Sequence, residues 1–112
     1  MQVFVCQTSQ LPSGQHKILN HNGRKYVVCN FNSIFYAFED KCPHLKARFT
    51  GRAFGMFFSH PGQDTVKCGA HGAVYDLTSG ANIVLPKGSA RTGNLPIYTV
   101  TDQSGQLYAD LP

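Results

Sequence analysis

The sequence predicts an all-β domain, an antiparallel sandwich or barrel that carries a small inserted lobe. Short apolar segments alternate with clusters of turn-forming residues along the whole chain, which contains 11 glycines and 6 prolines in 112 residues. No segment places apolar residues at the 3.6-residue spacing of an amphipathic helix. The length fits one domain, spanning 1–112, and we find no internal repeat.

The predicted strands follow one another at short intervals. Asn22-Gly23 lies between two strand-like segments and is a strong hairpin signal, because both residues tolerate the positive φ of a tight turn. Asp102-Gln103-Ser104-Gly105 gives a second hairpin near the end of the chain. In chain order the predicted strands cover residues 3–7, 15–20, 25–30, 34–39, 66–68, 73–77, 97–101 and 106–109.

The domain divides into a base and a lobe. We predict base strands in residues 1–40 and 87–112, with a smaller lobe, residues 41–86, inserted between them. Turn residues at 78–80 interrupt the lobe, and the segments that carry its Cys and His residues each adjoin a predicted strand end. Such junctions favour ligand sites, since loop backbone N–H groups can point inward at a bound ion or cluster.

Charge is concentrated in the lobe. The chain has a net charge of +4, and residues 41–87 contain six basic against two acidic residues, which accounts for all of it. A basic lobe would steer an acidic protein surface toward it, although an ordinary solvated surface with excess lysine is the simpler interpretation. Nucleic acid is not expected as a partner, because there is no dense basic segment and no known reading motif.

The cysteines indicate the compartment. Apolar runs fall well short of the ~20 residues of a membrane span, and the first residues lack the features of a signal peptide. Two of the four cysteines stand beside histidines, which favours a metal site over disulfides and hence a reducing, cytoplasmic location. The other two, Cys6 and Cys29, lie in apolar strands and are expected to be small buried hydrophobic residues.

Two short boxes carry the chemistry. The first box is Cys42-Pro43-His44 and the second box is Cys68-Gly69-Ala70-His71-Gly72. Each offers one thiolate and one imidazole from a few consecutive residues. Together they form the ligand set of a 2Fe–2S cluster in which two histidines replace two cysteines on one iron.

Two other uses of these donors stay open at this point. A structural zinc site also takes two cysteines and two histidines, but zinc fingers usually pair Cys with Cys and His with His. A thiol enzyme would use Cys68 and His71, yet we find no acidic partner and no oxyanion loop for it. The chain also shows no facial triad of two histidines and a carboxylate, and no flavin or nicotinamide fingerprint, so no bond chemistry is expected.

The mixed ligand set determines how such a cluster behaves. With two thiolates the oxidised cluster is neutral, whereas four thiolates give it two negative charges, so the mixed cluster accepts an electron more easily. The iron sets the acidity of the imidazole N–H groups, so reduction is linked to proton binding and the potential should fall at alkaline pH. Gly72 would allow the backbone to approach sulfur, and Pro86 would belong to a third loop over the cluster, although Pro86 also fits a plain surface turn.

The boxes resemble those of the Rieske family. The second box continues to Tyr75-Asp76 and then Thr78-Ser79-Gly80, as in the family's second motif, and the first box is similar to its Cys-Pro-His. The resemblance implies the Rieske fold, with Cys42 and Cys68 on one iron and His44 and His71 on the other, near the surface. It also implies one 2Fe–2S cluster and an electron carrier that serves a reductase and a terminal oxygenase or a similar enzyme.

The chain departs from the family pattern between the boxes. Twenty-three residues separate His44 from Cys68, more than is common in the family, and the excess falls in the apolar insert 52–62. We hypothesise a protruding hairpin that shields the cluster or docks a partner. The alternative is that the insert folds into the core of the lobe.

Other departures bear on the reduction potential. High-potential, quinol-oxidising members of the family have a disulfide between the boxes, but Ala47 and Ala70 stand at those positions here. Those members also direct a Ser and a Tyr hydroxyl at cluster and ligand sulfur; Ala73 replaces the Ser, whereas Tyr75 retains the Tyr. With a single donor we expect a potential in the lower part of the range of roughly −150 to +300 mV.

Overall fold

The predicted all-β architecture is confirmed. The computed structural model describes residues 1–41, 57–60, 63–67, 73–84 and 93–112. In these ranges the only helical element is a single 3₁₀ turn, Thr8–Gln10. The strands are β1 Gln2–Gln7, β2 His16–His21, β3 Arg24–Phe31, β4 Ile34–Glu39, β5 Phe57–His60, β6 Gln63–Lys67, β7 Val74–Asp76, β8 Asn82–Val84, β9 Ile97–Tyr98, β10 Val100–Gln103 and β11 Gln106–Asp110.

The chain forms two compact units, which are described separately below. Unit 1 consists of Met1–Glu39 and Ile97–Pro112, and unit 2 of Asp40–Pro96. The boundaries predicted from the sequence, a base of 1–40 and 87–112 around a lobe of 41–86, stay a prediction.

Unit 1 contains two antiparallel sheets that share one apolar core. Their strand orders are β1-β11-β10 and β2-β3-β4-β9. Strand alternation directs side chains of both sheets into the same interior. This core consists of Val5, Cys6, Leu11, Tyr26, Val28, Ala37, Leu107, Ala109 and Leu111.

Tight turns set the register of unit 1. Asn22 and Gly23 have φ of 50° and 77°, as a two-residue type I′ turn requires, and the flanking His21 and Arg24 pair directly. Ser104 and Gly105 close the β10–β11 hairpin in the same way, with φ of 54° and 87°. Both predicted hairpins are therefore confirmed.

The predicted strand 97–101 is wrong as a single element. β9 pairs with β4, Tyr98 standing opposite Ala37, whereas β10 pairs with β11. The chain changes sheets at Thr99, whose carbonyl accepts a hydrogen bond from the backbone N–H of Asp110 (2.9 Å). The sequence reads as one strand because its residues are β-branched or aromatic throughout.

Alkaline pH should weaken unit 1 through Tyr98. Its ring meets that of Tyr26 edge-on with centroids 5.8 Å apart, and burial, followed by the charges of Tyr26 and Glu39, raises the pKa of Tyr98 above its ordinary value of 10.0. The unfolded chain then loses this proton at a lower pH than the folded chain, so stability present below pH 10.0 is lost as pH rises through the folded pKa. Tyr98→Phe should flatten this decline in urea unfolding measured between pH 9 and 11. An unchanged alkaline slope in that variant would contradict the assignment.

Unit 2 contains one described sheet with strand order β5-β6-β7-β8. β5 belongs to the apolar insert, and its Phe57 and His60 stand opposite Val66 and Gln63. This part of the insert is thus a strand of the sheet, while residues 52–56 and 61–62 lie outside the described residues. β8 was missed by the sequence analysis because it spans only Asn82–Val84.

The turn at 78–80 between β7 and β8 is confirmed. The Asp76 carboxylate accepts hydrogen bonds from the Thr78 N–H (2.9 Å) and the Ser79 hydroxyl (3.3 Å). The Gly80 N–H donates to the Asp76 carbonyl (2.6 Å), and Gly80 has φ of 80°. Since L side chains rarely adopt such a φ, glycine suits this position, and β8 is returned antiparallel to β7.

Candidate metal centre

The first box follows directly on a strand of the base. β4 ends at Glu39, Asp40 is buried and Lys41 is exposed, and the first box begins at the next residue. Its ligands, Cys42 and His44, lie outside the described residues. Their roles stay predictions.

The second box connects two paired strands. β6 ends at Lys67 and β7 begins at Val74, and these two residues stand opposite each other in the antiparallel ladder. Residues 68–73 therefore join the strands, and Cys68, His71 and Gly72 belong to this short connection. These three residues, and Pro86 after β8, also lie outside the described residues, so their roles stay predictions.

Tyr75 and Ala73 are described, and both are completely buried. Tyr75 lies in β7 opposite Val66, four residues after His71, with an exposed fraction of 0%. Ala73 is equally buried and has no hydroxyl group. Of these two residues, only Tyr75 carries a hydroxyl that could donate a hydrogen bond. The role of Tyr75 as a hydrogen-bond donor to the site stays a prediction.

The remaining cysteines behave as predicted. Cys6 and Cys29 are buried in unit 1, and the Cys29 thiol lies 3.8 Å from the carbonyl oxygen of Tyr36. In the part of the chain that the structure describes, no three Cys, His, Asp or Glu side chains gather as metal ligands would. The described residues thus offer no competing metal site.

An exposed lysine immediately precedes each box. Lys41 stands before Cys42 and Lys67 before Cys68, and both side chains are exposed. The two acidic residues of the same region, Asp64 and Asp76, are only partly exposed. An exposed positive charge thus lies directly before each box, while the described charges of the lobe, Lys41 and Lys67 against Asp64 and Asp76, cancel in sum.

The family model for the Rieske 2Fe-2S domain matches residues 1–109, nearly the whole chain. The chain belongs to the Rieske family. A comparison with curated protein sequences gave no significant match.

Solved structures share the fold of this Rieske domain at low sequence identity. The ferredoxin of carbazole 1,9a-dioxygenase from Nocardioides aromaticivorans IC177 superposes with a TM-score of 0.77 at 21% identity, covering 97% of this chain and 96% of that chain. The terminal oxygenase of the same system gives 0.78 at 19% identity, over 99% of this chain but 30% of its own. A fluorene-bound oxygenase and ferredoxin complex of carbazole 1,9a-dioxygenase gives 0.79 at 18% identity, over 96% of this chain and 28% of that chain. The chain thus spans under a third of the length of the oxygenase chains it matches.

The donor set fits the cofactor of the family. A Rieske domain holds a 2Fe–2S cluster, and two thiolates with two imidazoles are the ligands such a cluster takes. Cys42, His44, Cys68 and His71 would hold it, and when bound it supplies reversible one-electron transfer. The family thus favours a 2Fe–2S cluster over a zinc site at these four residues and over a thiol enzyme that would use Cys68 and His71, and the ligand residues themselves stay a prediction.

One polar residue of unit 2 escaped the sequence analysis. Asn82 lies in β8 with only 5% of its surface exposed, and its side chain bonds to two backbone carbonyls. An asparagine next to Ile83 and Val84 in a short apolar segment was the available signal. Its significance depends on strand pairing that the sequence does not reveal.

In the described residues no helix combines the length and apolar character needed to cross a membrane.

Proposed function

We propose that this protein is a Rieske ferredoxin that carries one electron from a reductase to a terminal oxygenase or a similar redox enzyme. The observation that carries the proposal is the fold shared with a dioxygenase ferredoxin, which covers nearly the full length of both chains. The match of the family model to residues 1–109 supports the same role. A cytoplasmic location is part of the proposal, because the cluster ligands need reduced thiols.

Each group of residues has its part in this function. Cys42 and Cys68 hold one iron and His44 and His71 the other. Tyr75 tunes the potential. The electron passes at the histidine side, and the exposed Lys41 and Lys67 attract an acidic surface of the partner to the same region.

Reconstitution tests the proposal. The purified holoprotein is mixed with an NADH-dependent ferredoxin reductase and a Rieske oxygenase that accepts small ferredoxins, and product formation is measured. We expect turnover that depends on the protein and is lost when its cluster is removed. A holoprotein that a panel of such reductases cannot reduce, and that supports no oxygenase in the panel, would overturn the proposal.

A second function is a Rieske subunit bound permanently to a reductase or oxygenase. The matches to oxygenase chains favour it, since 96–99% of this chain superposes on a part of each. Size-exclusion chromatography of the native extract separates the two functions. A free carrier elutes near its own mass of 12.3 kDa, whereas a subunit co-elutes with its enzyme.

The basic residues beside the boxes should control the rate of partner reduction. Lys41→Glu and Lys67→Glu together should lower the second-order rate constant about 10-fold at low salt, because steering by complementary charge raises association rates by at least that factor. Stopped-flow measurement at low and high ionic strength checks this, and the difference from wild type should shrink as salt increases.

Lys17 and Lys25 provide the matched control. Both are exposed and lie in unit 1, and exchanging both for Glu makes the same change in net charge. This pair should alter the rate far less. Equal slowing by the two pairs would show that only net charge matters and that the lysines beside the boxes do not form a docking surface.

A further inference from the structure

β8 pairs with β7 through a bulge. Tyr75 stands opposite Asn82, but the preceding Val74 stands opposite Val84, so Ile83 has no partner in the ladder. An extra residue of this kind interrupts backbone hydrogen bonding and bends the strand. The bulge lies two residues beyond the second box, at the start of β7.

The Asn82 side chain forms hydrogen bonds across this interruption. Its Nδ2 donates to the Val74 carbonyl (3.1 Å) and to the Val84 carbonyl (2.8 Å). Two carbonyl oxygens can be satisfied only by the NH₂ end of the amide, which fixes the orientation of the side chain. Asn82 thus connects the first residue of β7 to the last residue of β8.

The carbonyl end of the Asn82 amide has no such hydrogen-bond partner among the described residues. Oδ1 of Asn82 is buried and accepts no hydrogen bond from the described residues. A residue kept only for stability would be expected to satisfy both ends, because a buried acceptor without a donor costs free energy. Asn30 of unit 1 shows the satisfied form: it is 6% exposed, its Nδ2 donates to the Leu11 carbonyl (2.8 Å), and its Oδ1 accepts from the Ser33 N–H (2.7 Å).

Asn82 is also the direct ladder partner of Tyr75. Residues opposite each other in an antiparallel pair present their side chains on the same face of the sheet. Both are more than nine-tenths buried. A shift at Asn82 would therefore be passed to Tyr75 across the ladder and to Val74 through the hydrogen bond to its carbonyl.

We propose that Asn82 is a positioning residue for the redox site, which fixes the start of β7 and the Tyr75 phenol relative to the cluster. The proposal rests on the family's cluster and on the role of Tyr75, and it requires no particular partner. Asn82 does not touch the reacting atoms itself. It acts through the bulge that its amide bridges.

Asn82→Ala and the similarly sized Asn82→Leu test the proposal in the holoprotein. We expect both variants to shift the reduction potential and the reduced electron paramagnetic resonance signal. Their visible absorbance should also decay about 10-fold faster under an iron chelator, because removing groups that orient metal ligands weakens metal affinity by about 10-fold or more. Asn30→Ala is the matched control: it removes an equally buried asparagine and should lower unfolding stability without moving either redox property.

A double variant separates positioning from general destabilisation. If Asn82 positions the phenol, Tyr75→Phe should shift the potential less in the Asn82→Ala background than in wild type. Additive shifts, or a potential and a magnetic resonance signal that match wild type in both Asn82 variants, would overturn the proposal. These readouts need no reductase or oxygenase, so failure here is distinguishable from failure of the proposed carrier function.

Discussion

Replacing Cys68 by Ser is expected to abolish the cluster. A 2Fe–2S cluster with two thiolates and two imidazoles has no spare protein ligand, and a serine hydroxyl is a much poorer ligand for iron than a thiolate. The variant should be purified without the visible absorbance of the wild type and with almost no acid-labile sulfide. Cys42→Ser should behave in the same way, and iron and sulfide analysis of the anaerobically purified proteins checks both.

The chain provides its own cysteine controls. Cys6 and Cys29 are buried and belong to unit 1. Substituting either by Ala removes a thiol and leaves a small cavity, so a modest loss of stability is expected with full iron content. A colourless Cys6→Ala or Cys29→Ala variant, or a brown Cys68→Ser variant, would contradict the ligand assignment.

The second large effect is expected from Tyr75→Phe. The phenol is completely buried, and Phe preserves its shape while removing the hydroxyl. A hydrogen bond to the more negative, reduced site is stronger than one to the oxidised site by about 1 kcal/mol. For a one-electron couple this corresponds to a potential lower by about 40 mV in the variant, measurable by protein-film voltammetry.

A substitution that adds a hydroxyl at a second position, and a control at another buried tyrosine, complete this test. Ala73→Ser would restore the hydroxyl that high-potential members of the family have, and it should raise the potential. Tyr26→Phe removes the hydroxyl of a similarly buried tyrosine in unit 1, 1% exposed, and should leave the potential unchanged. Equal potentials in wild type and Tyr75→Phe would show that Tyr75 serves only in packing.

The turns could be predicted from sequence where turn chemistry is local. Asn22-Gly23 fixes a type I′ hairpin by itself, and the Asp76 to Gly80 turn is closed by its own side chains. The strand 97–101 was predicted as one element because its break at Thr99 is set by two partners, β4 and β11, from distant parts of the chain. β8 was missed because three residues with a bulge give no period to detect.

The site shows the same division. Cys and His in two boxes predict a cluster, because thiolate and imidazole side chains are metal ligands and each box places one of each within a few residues. Asn82 could not be identified in this way, since asparagine has many uses and its role arises from the extra residue at Ile83. The insert was recognisable by its length and apolar residues, but the pairing of Phe57–His60 with β6 required a partner strand to be known.

The antiparallel pairing of β6 and β7 has a consequence for how the protein matures. Hairpins form in about 1–10 μs, so pairing of Lys67 with Val74 can close the connection that contains Cys68 and His71 early in folding. The first box is joined to them only by closing the 23-residue stretch that follows His44, and the entropy lost rises with the logarithm of that length. Iron held by both boxes would offset this entropy loss with metal–ligand bonds and would act as a cross-link. We therefore expect cluster insertion to be the last folding step, with urea resistance of the lobe that depends on iron.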